Sequence, residues 1–529
     1  MASSLTTPGV YINEINAFPN SVVPVATAVP VFVGYTLRAD YKGRSYVNEA
    51  VKINSLQDYM TFFGAVTGAP AAPAPDSAQY SPIYHILPSQ GEGDVTIGGK
   101  PLDLLPDPST IYYLYNSIKL FYQNGGGTAF IISVGLIGPA PASSKPLTAG
   151  SPLVNPNIKY DDLLTGLQVA ANEAEITMIV IPDAVLLKQK DYGSLLQNVL
   201  EQCGDATQCC APYSRVGLLD VYGGEDPDPE LWYQPGGEIE TFRGLLGMNH
   251  LKFGIAYYPF LKSTIVQDGD INFLNMGGAK ELAAVLPDAG TEPVKSILGQ
   301  IQTPPTTNAP DNTQLENALL GASDAYSQLH DHVLEKINTL PPSAAMAGLI
   351  TMVDNSIGVW RAPANFSLTA VFDTTLKITD MNQGQLNVDP ITGKSINAIR
   401  VKPGFGVMVW GARTLDGNSM DWRYVNVRRT VIFIEQSLKN AMQTYVFLPN
   451  VDSTWSLVQS MVTSFLTSQW NQGALAGSSA AASFTVAIGL GITMTADDIL
   501  NGYMNLSVQV AVSHPAEFIT INISQKAQS

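Results

Sequence analysis

The chain has 529 residues, which at roughly 150 residues per domain corresponds to three or four domains and excludes a peptide or a single small module. Its net charge of −17 argues against phosphate-tracking nucleic-acid binding and against an anionic membrane surface. From residue 400 onward there are eight basic and seven acidic residues, so the acidic excess lies in the first 399 residues. We expect an acidic outer part and a near-neutral part that contacts other protein.

The first predicted elements are extended segments. Residues 10–15 predict a short strand, and the Val- and Pro-rich stretch 22–35 predicts a core strand that begins near Pro30. No Lys or Arg precedes Arg38, so we expect no secretory signal, and we expect no membrane segment either. Residues 1–24 are interpreted as an N-terminal arm and 25–64 as the start of the core.

Two stretches rich in proline follow. Eight prolines between residues 65 and 110 predict an insertion without regular structure, and a Pro-, Ala- and Ser-rich linker covers 136–156. Between them, the sequence from Ser109 predicts a helix that stops at Asn124, followed by a strand at 129–134.

Helices and buried strands then alternate, within a predicted inserted α/β region at 111–341. The helices are predicted at 161–174, 192–203 and 239–248, and the strands at 176–181, 215–221 and 253–260. Continuous apolar strands separated by helices indicate an α/β layer with a mainly parallel sheet. This is the part of the chain most typical of an enzyme.

A loop is predicted at 285–312, followed by one long helix at 313–340. Thr313 and Glu316 form a capping-box pattern at its start, and Pro341-Pro342 ends it. Its apolar stripe indicates a core seam. His330-Asp331-His332 are expected on its solvated face, because the two histidines lie about 200° apart on a helix and do not form a metal pair.

The last third predicts two helices and several strands. An amphipathic helix is predicted at 432–444, a second at 455–469, a buried strand within 480–494 and an alternating strand at 506–512. Residues 342–505 are interpreted as a C-terminal core and 506–529 as a C-terminal strand arm.

No motif predicts a catalytic, cofactor or metal site. Cys203, Cys209 and Cys210 lack zinc-ligand spacing and predict reduced thiols. The stretch 389–395 resembles a phosphate loop, but Val388 stands where the first glycine is required. With five histidines, a catalytic triad assembled in space stays open.

Both ends of the chain finish in strand-like segments without an adjacent hairpin partner. These are 10–15 and 518–524. Unpaired strand edges bind other chains, and two such ends would give an open head-to-tail assembly. Pairing of the ends with each other or with their own core is the equal alternative from physics alone.

Basic and aromatic residues interleave between Trp422 and Arg429. The pattern superficially resembles an RNA-binding platform, but the overall acidity favours a surface that faces protein.

Several segments together resemble the tail sheath family of contractile phage tails and contractile injection systems. The matching segments, in the family's order, are Thr7–Ile12, Gly358–Asn365, Ile396–Arg400, Trp410–Leu415, Trp422–Arg429, Phe447–Asn450 and Pro515–Ile519. They are densest from residue 342 to the end of the sequence.

The resemblance implies a fold and a function. The implied fold is an α/β and α+β multidomain chain, with a sheath core made from the N-terminal segment and the C-terminal third, inserted α/β domains, and extended strand arms. The implied function is a sheath subunit that stacks helically around an inner tube and contracts to drive that tube through a target envelope. No enzyme activity or cofactor is implied.

The resemblance also implies site residues and partners. The residues expected to exchange strands with neighbouring subunits are Val10, Tyr11, Ile12, Asn13, Glu14, Ile15, Phe518, Ile519, Thr520, Ile521, Asn522 and Ile523. Arg423, Arg428 and Arg429 are candidates for structural or intersubunit ion pairs. The expected partners are other copies of the chain, the inner tube, the baseplate and a terminal cap, without nucleic acid or membrane insertion. Assembly is expected in the cytoplasm, into a phage tail or a bacterial injection particle.

Two other classes stay open. An α/β enzyme of unknown reaction would use residues 161–260 and would be favoured by a monomer with an acidic pocket. A passive shell or surface-layer protein would share the polymerising ends but would not change its lattice.

Overall fold

The computed structural model describes residues 21–64, 82–138, 144–148, 150–305 and 310–518. The chain divides into two compact units. The main unit contains Ala26–Ile432 and the segment from Pro515 onward, and the C-terminal unit combines Phe433–His514 with the segment ending at Val25. The predicted strand at 10–15, and residues 519–524 of the other terminal strand, lie outside the described residues. The predicted domain boundaries stay predictions.

Seventeen of the strands lie in the main unit and two in the C-terminal unit, within the described ranges. They are β1 Pro30–Thr36, β2 Asp40–Tyr41, β3 Arg44–Ser45, β4 Ala50–Ile53, β5 Tyr84–Pro88, β6 Val95–Ile97, β7 Lys100–Pro106, β8 Ala129–Leu136, β9 Met178–Val180, β10 Val216–Asp220, β11 Gly254–Tyr258, β12 Leu261–Ser263, β13 Thr339–Leu340, β14 Phe366–Ser367, β15 Val371–Thr374, β16 Asn397–Lys402, β17 Gly406–Val409, β18 Phe484–Ile488 and β19 Leu506–Val510.

The α-helices of the described residues follow the same order along the chain. They are α1 Leu56–Phe62, α2 Leu114–Gln123, α3 Tyr160–Ala171, α4 Gln189–Gly204, α5 Glu238–Leu245, α6 Gly278–Val285, α7 Val294–Gln302, α8 Asn312–Ala322, α9 Asp324–Ile337, α10 Ser343–Ser356, α11 Asp380–Asn387, α12 Val425–Met442, α13 Asp452–Asn471, α14 Ala480–Ser483 and α15 Ala496–Leu500.

The main sheet has nine strands in the order β14-β17-β16-β11-β10-β9-β1-β8-β4. The strands from β16 to β8 in this order pair in parallel, and antiparallel strands flank them on both sides. Every residue of β9, β10 and β11 is buried. The prediction of an α/β layer with a mainly parallel sheet is therefore confirmed.

Helices cover both faces of this sheet. The ring of Phe32 in β1 packs on that of Phe121 in α2, with centroids 5.2 Å apart. The next residue, Val33, contacts α3 so closely that a Cβ placed on Gly166 would lie 2.4 Å from its side chain. Because consecutive strand residues point to opposite faces, α2 and α3 lie on opposite sides of the sheet.

A second apolar core lies in an inserted lobe of the main unit. It combines β5, β6 and β7 with the helices from α6 to α9. The prediction that residues 65–110 lack regular structure is wrong for 84–106, which form an antiparallel three-stranded sheet. Several of the prolines that suggested a loop stand at or near strand ends, where a missing N–H is tolerated. The predicted loop at 285–312 likewise contains α7.

The predicted single helix at 313–340 is two helices, α8 and α9. The break between them lies at Ser323, whose side chain accepts a hydrogen bond from the backbone N–H of Tyr326 and so caps the start of α9. Asp311, not Thr313, caps α8. Glu316 is buried and accepts a hydrogen bond from the Tyr326 hydroxyl at 2.7 Å. The expectation of a solvated His330 is wrong, because its side chain is 2% exposed.

The C-terminal unit is built on α13. Six apolar side chains predicted to line one face of this helix are buried, namely Trp455, Val458, Met461, Val462, Phe465 and Leu466. Phe465 packs on Phe433, with ring centroids 6.0 Å apart. The strands β18 and β19 pair as an antiparallel hairpin. Residues 506–510, expected in a terminal arm, are thus paired within the chain.

Candidate functional site: the anchors of the terminal segments

The N-terminal anchor is a buried ion pair between Arg429 of α12 and Asp354 of α10. The Arg429 guanidinium donates two hydrogen bonds to the Asp354 carboxylate, at 2.9 and 2.6 Å, and one to the backbone carbonyl of Thr27 at 2.9 Å. The two side chains are 4% and 2% exposed. In a bidentate pair this deep each charge compensates the other, so losing either partner would leave a buried charge, and the pair fixes the chain where the predicted N-terminal arm ends.

The helix that carries Asp354 is also fixed at its first residue. Asp220, at the end of β10, accepts hydrogen bonds from the backbone N–H and the hydroxyl of Ser343, at 2.7 and 2.6 Å. Burial raises the pKa of Asp220 to about 7, against the lowering effect of these hydrogen bonds. The sheet therefore holds α10 at its start, and Arg429 holds it near its end.

The C-terminal anchor is an ion pair between Arg413 and Glu517. The Arg413 Nε donates to Glu517 Oε1 at 2.9 Å, its Nη2 donates to Oε2, and the Tyr424 hydroxyl donates to Oε2 at 3.3 Å. Arg413 is 7% exposed but the Glu517 side chain is 22% exposed. This anchor lies immediately before Phe518, the first residue of the predicted C-terminal strand.

The base of the C-terminal anchor is rigid. Asn397, the first residue of β16, accepts a hydrogen bond from the backbone N–H of Arg413 at 2.7 Å and donates to its carbonyl at 2.8 Å. Asn397 also donates to the carbonyl of Ala256 in β11. The backbone at Arg413 is thus tied to two strands of the main sheet.

The three arginines selected from the sequence lie in different environments. Arg429 forms the N-terminal anchor. Arg428 is buried, with its guanidinium carbon 4.4 Å from the ring centroid of Trp422 and 5.0 Å from that of Phe253. Arg423 is partly exposed, and its Nε donates to the carbonyl of Ser419 at 2.9 Å.

The hairpin of β18 and β19 is the least covered sheet among the described strands longer than three residues. All of its residues except Ile488 are at least partly exposed. Neither strand has a further pairing partner within the described residues. An isolated two-stranded hairpin is marginally stable, and its open edges can accept further strands.

Sequence reasoning did not single out Asp354 or Glu517. Arg429 and Asp354 are 75 positions apart, and Arg413 and Glu517 are 104 apart, so no local spacing indicates either pair. Among the four, Arg413, Arg429 and Glu517 lie in segments that carry the family resemblance, which was the available signal.

The predicted absence of a metal site stays a prediction about the whole chain. Within the described ranges, no three His, Cys, Asp or Glu side chains are placed to share a metal ion. Cys203 and Cys209 are buried and Cys210 is exposed, and burial raises the pKa of Cys203 to about 12. In the loop at 389–395, the Lys394 ammonium is buried against the carbonyl of Arg243 and does not face a ligand.

None of the helices in the described part of the chain combines the length and the apolar composition that a bilayer span requires.

The described residues thus fix the chain at Thr27 and at Glu517, and the smaller unit contains a two-stranded hairpin with partly exposed side chains. Residues 418–526 match the family model of the phage tail sheath C-terminal domain. No curated protein sequence matches the chain.

Solved structures are similar over nearly the full length. The chain is 25% identical to the sheath of an extracellular contractile injection system, PVC, in its contracted state, covering 99% of this chain and 98% of the other with a TM-score of 0.55. It is also 25% identical to the contracted helical sheath of the anti-feeding prophage, AFP, covering 99% and 100% with a TM-score of 0.55. A chain of the AFP baseplate matches at 25% identity and a TM-score of 0.54, again covering 99% and 100%.

Residues 418–526 of the chain therefore match the tail sheath family, and the chain as a whole is similar to the sheaths of contractile injection systems. The family resemblance stated from the sequence is confirmed.

Proposed function

We propose that the chain is the repeating subunit of a contractile sheath, which polymerises helically around an inner tube and contracts to drive the tube through a target envelope. The observation that carries this proposal is the open hairpin of β18 and β19. The edge of the hairpin can accept a strand, and the terminal segments can supply one. A subunit that has both can therefore pair with its neighbours through main-chain hydrogen bonds, repeatedly along an assembly.

The terminal segments supply the added strands in this proposal. Residues 10–15 and 518–523 extend from their own subunit and pair with the β18–β19 hairpins of neighbouring subunits. In the second segment, apolar residues alternate with polar ones at Ile519, Ile521 and Ile523, which is the period of a half-buried strand. Added strands would bury the partly exposed apolar side chains of the hairpin.

The anchors give this assembly its hinges. Arg429 fixes the chain at Thr27, and Arg413 fixes it at Glu517, so each arm leaves its subunit from a defined point. Subunits then reorient as rigid bodies while the exchanged strands stay paired. In this arrangement Arg428 and Arg429 are internal structural residues, and Arg423 is the candidate for an intersubunit ion pair.

Contraction requires no chemical step in this protein. Two of the similar structures are sheaths in a contracted state, and another belongs to a baseplate. By analogy, this chain assembles with a baseplate that triggers release of a metastable extended lattice, and with an inner tube and a terminal cap. The energy is stored in the assembly and released as interface is buried. The subunit has no enzymatic role.

Assembly takes place in the cytoplasm, and the mature particle is a phage tail or a bacterial contractile injection particle. The α/β enzyme and the passive shell are the competing classes. The enzyme predicts a monomer, and the shell predicts a polymer with a single lattice.

Negative-stain microscopy of the chain expressed alone and with its tube protein tests the proposal. We expect hollow helical tubes from the full chain and dispersed particles from a chain ending at Glu517, which keeps the C-terminal anchor. A chain ending at Lys526 is the matched control and should still polymerise. Monomers from the full chain in the presence of the tube protein would overturn the proposal. Tubes with the same helical parameters before and after a denaturant pulse would favour the passive shell.

A further inference from the structure

A large acidic cleft lies in the main unit, away from both anchors. It has a volume of about 800 Å³ and opens between the inserted lobe and the segments that follow β10. One wall comes from the lobe, at Tyr84, Asp103 and Lys336. The other comes from segments next to the main sheet, at Tyr113, which precedes α2, and at Glu225, which follows β10. Ligands of open α/β sheets bind beyond the carboxyl ends of the strands, and this is where the cleft lies. Its volume suits a small molecule.

The charged side chains that line the cleft are mostly acidic. Its acidic side chains are Asp94, Asp103, Glu225, Asp226, Asp228 and Glu238. Lys336 is the one basic residue of the lining, and its Nζ is 2.8 Å from Asp94 Oδ1, so it compensates that carboxylate. The other five have no basic partner in the lining. The potential therefore favours a ligand with more than one positive charge.

Several polar groups that line the cleft lack hydrogen-bond partners, although the residues that carry them are partly or largely buried. Tyr84 and Tyr113 are 6% and 7% exposed, and neither hydroxyl has a hydrogen-bond partner among the described residues. One carboxylate oxygen of Glu238 is buried without a partner within the same ranges. Burial first, and the neighbouring charges of Asp226 and Glu238 next, raise the pKa of Glu225 to about 7. Unsatisfied buried polar groups that line a cavity indicate a ligand that satisfies them.

The distribution of these groups selects the kind of cation. No three carboxylates among the described residues converge on a metal position. Besides the acids, the lining contains aromatic and aliphatic side chains such as Tyr112, Ile111 and Leu153. An extended chain of methylenes carrying several ammonium groups matches this mixed lining, because its carbons pack on the apolar side chains while each ammonium binds a carboxylate or a tyrosine hydroxyl.

We propose that this cleft binds an aliphatic polyamine. Acceptors are supplied by Glu225, Asp226 and Glu238 after β10, by Tyr113 before α2, and by Tyr84 and Asp103 on the lobe. Binding joins the lobe to the main sheet, so the bound ligand stabilises the main unit. The proposal is independent of the sheath function.

Isothermal titration calorimetry with spermidine tests this proposal. The full chain is used in the assembly state in which it is isolated. At about 150 mM salt, which screens surface charge, we expect one spermidine per chain with a Kd below about 1 mM. Glu225→Gln and Tyr113→Phe should each weaken binding about tenfold, since each loses a hydrogen bond to a charged group. Glu201→Gln, an exposed acid on α4, is the matched control and should not change the Kd.

Three results would overturn the proposal. One is the absence of saturable binding to the full chain. Another is an equal loss of affinity in the Glu201→Gln control, which would mean non-specific charge attraction. The third is displacement of spermidine by magnesium chloride at equal charge. The conservative Tyr113→Phe variant keeps the buried ring, so a folded protein remains available for the comparison.

Discussion

The two anchors differ in how deeply their side chains are buried, and this difference indicates different structural roles. At the N-terminal anchor, Arg429 and Asp354 are both almost fully buried and hold the carbonyl of Thr27. At the C-terminal anchor, Arg413 is buried, but Glu517 keeps about a fifth of its side chain in water. A buried pair cannot open without leaving an uncompensated charge, whereas in a pair with one partly exposed member that member can exchange its partner for solvent. The first is a permanent part of the fold, and the second can be released.

The largest expected effect comes from breaking the buried anchor. Asp354→Ala leaves the Arg429 guanidinium buried without its counter-charge and should lower the free energy of unfolding by about 3–5 kcal/mol. Urea denaturation of the unassembled chain measures this. Asp421→Ala, at an exposed position, is the control and should change stability by less than about 0.5 kcal/mol. A stability loss for Asp354→Ala as small as that of the control would contradict a fully buried ion pair at the N-terminal anchor.

A second prediction concerns the contact that holds α10 at its start. The pKa of Asp220 in the folded chain is about 7, above the value of about 4 in an unfolded chain. The folded state thus keeps a proton that the unfolded state has released, so this stabilisation is fully present below about pH 4 and is lost as pH rises through 7.

Asp220→Asn removes that titration. Between pH 5 and 7 the stability of the wild type relative to the variant should fall by about 1 kcal/mol per pH unit. Urea denaturation at a series of pH values measures this difference in the free energy of unfolding, and the control Glu201→Gln should show the same pH dependence as the wild type. Other buried acids are present in both proteins, so their contributions cancel when the two free energies are subtracted. A constant difference between wild type and Asp220→Asn across this range would contradict the assignment.

The smallest effect on stability is expected at the exposed anchor. Glu517→Gln should cost about 1 kcal/mol or less, and the cost should shrink at high salt, because a partly exposed ion pair is screened. Its effect should appear in assembly, as shorter tubes or slower polymerisation measured by light scattering. A stability loss as large as that of Asp354→Ala would show that both anchors are structural.

The sequence predicted the main sheet well because its signals are local. Continuous apolar strands and helix periodicity placed the elements between residues 161 and 260, and β10 was expected at 215–221 and found at Val216–Asp220. The break between α8 and α9 was missed because the apolar stripe continues across it, and Ser323 marks it with one hydroxyl. The anchors were missed because ion pairs far apart in sequence have no periodic signature. The terminal arms were predicted from the family motifs and from the alternation of apolar and polar residues at the end of the sequence.

The central claim is that the C-terminal segment of one subunit pairs with the hairpin of another. A cysteine cross-link tests it most directly, in a Cys210→Ser background. Gln509 is an exposed residue of β19, and Thr520 and Asn522 form the polar face of the predicted strand. Gln509→Cys combined with Thr520→Cys or Asn522→Cys should give a ladder of covalent multimers on oxidation of assembled tubes. Gln509→Cys with Ile521→Cys, on the opposite face, should link poorly, because side chains alternate along a strand. Tubes that form without any intersubunit cross-link in either polar-face pair would contradict strand exchange at this hairpin.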